Sequence, residues 1–137
     1  MRTIEIPRAD WSRVMAEFSV VHDGWLVSLD ILSPDIGAQP DFTDLPLVGV
    51  TFEDLRAGAV TISAGRSAVA EITHTVQAPS RIWVERTEAG ADAALAIESA
   101  DGVTTILRLR TAALPETVDG IVRGPRRNPD SPPGSVR

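Results

Sequence analysis

The chain contains no cysteine, no tyrosine and no lysine; all 13 of its basic residues are arginine. Without a thiol there is no disulfide, no thiolate zinc site and no cysteine nucleophile. Without lysine there is no Schiff-base amine and no phosphate-gripping P-loop lysine. The absence of tyrosine removes the phenolic acid or base. No apolar run approaches the roughly 18 residues a membrane-spanning helix needs. The N-terminus carries Glu5 where a secretory leader would be continuously apolar, so a cytoplasmic location away from membranes is expected.

The remaining charge is acidic, with a formal net charge of −6. Residues 111–137 hold four arginines against Glu116, Asp119 and Asp130, so the first 110 residues carry nine arginines against 16 acids, or −7. Such a body repels a phosphate backbone, and no nucleic-acid partner is expected.

One segment has helical periodicity. Trp11, Val14, Met15 and Phe18 recur at i, i+3, i+4 and i+7, which gathers them in one apolar stripe and predicts an amphipathic helix from Arg8 to Val21. Pro7 suits its first-turn boundary, and Gly24 is free to take the left-handed conformation that ends many helices.

After Gly24 the pattern is that of strands and turns. Residues 25–31 alternate, further strands are predicted near 47–53, 59–64, 68–76, 81–86, 93–99 and 104–110, and Ser33 to Pro46, with three prolines and a glycine, reads as a long loop. Asp101-Gly102 is the best hairpin turn, since both residues tolerate positive φ. As a two-residue turn it sets Ile97 opposite Ile106 and Ala96 opposite Leu107, leaving both faces of the hairpin partly apolar and each in need of a cover. The expected fold is α+β: an antiparallel barrel or sandwich of seven to eight strands with one N-terminal helix, over residues 1–114. Five of the ten prolines fall in 115–137, a segment expected to be an unstructured tail.

No catalytic motif, metal site or cofactor signature emerges. In the strand near 68–76, His74 shares a face with Ala70, Ile72 and Val76; it reads either as a ligand-binding group or as a core-edge histidine held by one hydrogen bond. Asp35, Asp41 and Asp44 lie in the proline-rich loop at spacings unlike a calcium site, so a solvated loop is expected. Trp83 falls on a strand face with Arg81 and Glu85, opposite Ile82 and Val84. That placement marks either an interface or a ring lying under the helix or the loop at 33–46, with Arg81 stacked over it.

The run Ile6-Pro7-Arg8, Trp11, Phe18-Ser19, His22 and Gly24 to Val27 resembles a bacterial family catalogued as domain of unknown function 5335. So do Asp35, Gly37-Ala38-Gln39, Leu45-Pro46-Leu47 with Gly49, and Thr73-His74 followed by Pro79. The resemblance spans about residues 3 to 110 and implies domain boundaries, with no activity or site residue attached. Two functional readings follow from the residues. The first is a non-enzymatic interaction module forming a homodimer, with Trp83 and Ile106 at the contact. The alternative is a small-ligand-binding β barrel, or an enzyme, with a site near Gly37-Gln39 and His74.

Overall fold

The computed structural model describes residues 1–110. The segment expected to be a tail, 115–137, lies outside them. The order is β1 (Arg2–Glu5), a 3-10 turn (Arg8–Asp10), α1 (Trp11–Val21), β2 (Leu26–Ser33), β3 (Gly37–Glu53), β4 (Ala59–Ala64), a second 3-10 turn (Ala68–Ala70), β5 (Ile72–Gln77), β6 (Pro79–Arg86), β7 (Asp92–Ser99) and β8 (Thr104–Leu109). The strands form one antiparallel sheet in the order β1-β6-β7-β8-β2-β3-β4-β5. Its end strands, β1 and β5, do not pair with each other, so the sheet is open.

The helix occupies the expected segment, with its first turn in the tighter 3-10 form. Trp11, Met15 and Phe18 are buried and join one core with Val27, Leu29, Ile82 and Leu95 from one part of the sheet and Val50, Val60 and Ile62 from the other. The Trp11 indole donates to the Ile6 carbonyl at 2.9 Å, tying α1 to the end of β1. Gly24 ends the helix region at φ +83.

The proline-rich segment is a strand. Only Pro34 to Ile36 turn, and β3 runs from Gly37 through Pro40 and Pro46. The prolines fit because they occupy the half of β3 that pairs with β2 alone, leaving its other side free of ladder bonds that a proline could not make. Three irregularities then bend the strand so that its second half, 47–53, pairs with β4. Asp41 is an extra residue between the Asp30–Pro40 and Leu29–Phe42 pairs, Thr43 and Asp44 together face Ser28, and Val48 interrupts the ladder to β4. Asp44 sits at φ 53, its amide held by the Ser28 hydroxyl at 3.0 Å.

Beyond Leu47, α1 takes over from β2 as the neighbour of β3. The Ser19 hydroxyl accepts the Val50 N–H at 2.7 Å and lies 2.8 Å from both the Val50 and Met15 carbonyls, to one of which it donates at a time. A side chain thus does for the bent strand's edge what a ladder partner would otherwise do.

The β7–β8 connection is one residue longer than a two-residue turn. Ile97 faces Thr105, Ala96 faces Ile106 and Leu95 faces Leu107. Gly102 takes φ +88, and the Gly102 amide bonds the Ser99 carbonyl at 3.0 Å, as in a three-residue loop with a left-handed residue. The consequence is large, because a one-residue slip carries every side chain to the other face. Leu95, Ile97, Leu107 and Leu109 all point into the core. The outer face keeps only Ala94, Ala96 and Ile106 as apolar residues of this hairpin.

The same loop carries a pH-sensitive contact. The Asp101 carboxylate accepts from the Ser99 hydroxyl and from the Val103 N–H, and these bonds, the hydroxyl first, hold its pKa below the ordinary carboxylate value. A folded-state pKa below the unfolded one gives stability that is present above the unfolded value and lost as pH falls through the folded one. The stability difference between wild type and Asp101→Asn is therefore expected to be constant from neutral pH down to the ordinary carboxylate range and to shrink below it. Urea titrations across that range check this; a difference that persists unchanged in strong acid contradicts it.

Candidate functional site

Register places the outward residues of the sheet in rows. One row runs Glu5, Trp83, Ala96, Ile106, Asp30 and Pro40 across β1, β6, β7, β8, β2 and β3. Flanking rows are Arg81, Glu98, Thr104 and Leu32 on one side and Glu85, Ala94, Arg108 and Ser28 on the other. The structure therefore brings Trp83 and Ile106 onto one face, separated by the small Ala96. The two-residue turn expected from the sequence sets Ile106 against Ile97; the three-residue loop sets it against Ala96 instead.

Trp83 lies under neither the helix nor the β2–β3 hairpin. Its strand neighbours Ile82 and Val84 are the residues that enter the core beside α1. Arg81 does cover it, with the guanidinium carbon 5.1 Å from the ring centroid. Arg81 also reaches Glu5 at 3.2 Å and Glu98 at 3.5 Å, and the hydrogen bond to Glu5 pushes its pKa further up. On the other flank Arg108 pairs with Asp30 at 3.0 Å. The arginines and Glu5 are about half exposed, and Glu98 and Asp30 about a third, so such pairs add little to stability. Their effect is geometric: they hold five charged groups as a frame around the half-buried Trp83 and Ile106, with the buried Ala94 and Ala96 between them.

At the other candidate position, Ile72, His74 and Val76 pair with Ala64, Ile62 and Val60, so His74 does share the inward face with apolar neighbours. Its residue of contact is Asp41, whose carboxylate lies 3.8 Å from His74 Nδ1. Asp41 is the extra residue of the β3 bulge, and bulges re-aim side chains in this way. Gln39 is exposed near the hairpin tip, paired across from Ile31. Nothing in the sequence pattern flags Asp41 as the partner of His74, because 33 residues separate them and the bulge depends on β2. The three acids of the proline-rich segment are dispersed: Asp41 meets His74, Asp44 meets Arg110 at 3.2 Å, and Asp35 lies in the turn. Among the described residues no group of three His, Asp or Glu side chains comes together as metal ligands.

A second histidine is structural. His22 is buried at the helix C-terminus, with Nδ1 2.8 Å from the Phe18 carbonyl and Nε2 3.4 Å from Asp92, which Arg86 holds at 2.9 Å. It packs between the rings of Phe18 and Trp25, at centroid distances of 4.2 and 4.6 Å.

These features define a small α+β domain, an open antiparallel sheet carrying one helix, with a framed apolar row on its outer face. The chain belongs to the family of unknown function DUF5335, whose model matches residues 2–117. No curated protein and no solved structure matches it. No helix among the described residues is long and apolar enough to cross a membrane.

Proposed function

We propose that the protein is a non-enzymatic, cytoplasmic interaction module that forms a homodimer through the outer face of its sheet. The observation that carries this reading is the row Trp83-Ala96-Ile106, framed by the Arg81 and Arg108 ion pairs. An aromatic and aliphatic centre with arginines at the rim is the composition of protein contacts. A two-fold arrangement lets one patch serve both partners. Light scattering is expected to give about twice 14.6 kDa at micromolar concentration, and Trp83→Arg to shift the population to monomer. A wild type that is monomeric at every concentration would falsify this reading.

A second reading has its own observation, the Asp41 carboxylate 3.8 Å from His74 Nδ1 at the inward side of β5. An acceptor and an imidazole held together can orient a small polar ligand. A thermal-shift screen over a metabolite panel tests it, with His74→Ala as the control that abolishes any shift.

A further inference from the structure

The two ends of the sheet differ. β1 is four residues long and carries Arg2 and Glu5, charges of the kind that discourage edge-to-edge pairing. β5, Ile72-Thr73-His74-Thr75-Val76-Gln77, has no arginine, no acid, no proline and no bulge; it pairs with β4 over six consecutive residues without a register shift. Among the described residues no strand pairs with its outer side. Ile72 is 40% exposed and nearby Val69 97% exposed. Of the usual devices for blunting an edge strand, β5 itself carries no bulge, no proline, no arginine and no acid.

The backbone polarity of that edge is readable. The Ala78 amide bonds the Gly58 carbonyl at 3.0 Å, and Gly58 lies opposite Ala78 in the β4–β5 register. Antiparallel ladders alternate, so the N–H and C=O groups of Val76, His74 and Ile72 face β4. Those of Thr73 and Thr75 then face outward.

We infer that β5 pairs antiparallel with β5 of a second copy of this chain, about a two-fold axis at His74. This register sets Thr73 opposite Thr75, both with backbone groups that point outward, so they exchange both N–H and C=O bonds. Ile72 meets Val76 on the inward face, and threonine meets threonine on the outward one, pairs that suit a sheet. Centring on Thr75 instead sets Thr73 against Gln77 and His74 against Val76 and loses the apolar match. β5 itself contributes no carboxylate or guanidinium to the contact, so the strands of two copies of this acidic chain meet without a like-charged pair between them. The occupant is thus a copy of β5 itself, at a surface separate from the Trp83 face, and the two contacts stand or fall independently.

Sedimentation equilibrium of the full chain, with Thr75→Pro and Thr73→Lys beside Trp83→Arg, tests the inference. Proline at 75 removes an outward N–H and no bond to β4, which edge strands tolerate. Circular dichroism confirms that each variant stays folded, and Thr73→Lys supplies the answer if proline perturbs the strand. At least tenfold weaker association in Thr75→Pro and Thr73→Lys, with Trp83→Arg like wild type, supports pairing through β5 and removes the sheet-face dimer. A tetramer reduced to dimer by either class of variant supports both contacts. Association lost only in Trp83→Arg, or a monomeric wild type, overturns pairing through β5.

Discussion

Phe18→Ala is expected to destabilise the protein by roughly 3–5 kcal/mol, the range for truncating a buried phenylalanine. Phe18 is 5% exposed and sits between Met15 and His22 on the buried face of α1. Its loss removes apolar area, leaves a cavity facing the sheet, and strips the ring that packs on His22 at 4.2 Å. The helix then loses part of its hold beside Val50, where Ser19 completes the edge of β3. Urea unfolding of the variant gives the number. A loss under about 1 kcal/mol would mean that the helix is peripheral to the core.

The second large effect is expected at Gly65, between β4 and the 3-10 turn before β5. A Cβ there would stand 2.7 Å from the Glu71 Cα and 2.8 Å from the Ala70 carbonyl oxygen. Both are backbone atoms, so no side chain can swing aside to relieve the contact. Gly65→Ala must open the 65–71 connection, and the Gly65 amide bond to the Pro46 carbonyl, 2.9 Å long, is strained with it. A cost of about 3 kcal/mol is expected, at the upper end for overpacking. Gly90→Ala is the internal comparison: its Cβ meets nothing within 4 Å, and only its left-handed φ of +91 resists. That variant is expected to lose about 1 kcal/mol. Equal melting temperatures for the two alanine variants would show that the connection at 65–71 yields easily.

The part of the fold that was legible beforehand was the part written in one segment at a time. The stripe of Trp11, Met15 and Phe18 specifies a helix and its buried side with no knowledge of the partner surface. Alternation alone put Ile82 and Val84 opposite Trp83, and set His74 with Ile72 and Val76; the pairing with β4 and the burial of β6 agree. The failures share another cause. Pro40 and Pro46 exclude a strand only if both sides of it must be paired, and the bend in β3 spares one side. β1 is too short to announce itself, and exists because β6 offers it a ladder.

The candidate sites divide along the same line. Each residue's own side of its strand could be read from period-two alternation, a property of consecutive residues that needs no neighbour. Which sides coincide could not. Ile106 joins Trp83 because the Ser99–Val103 loop takes one residue more than Asp101-Gly102 alone would need, and because β7 lies between their strands. Asp41 meets His74 because one extra residue in β3 has no counterpart in β2. Register and bulges are settled by competition between whole strands for a common core. A single added residue reverses every side chain beyond it, at almost no cost to the local pattern that the amino-acid order displays.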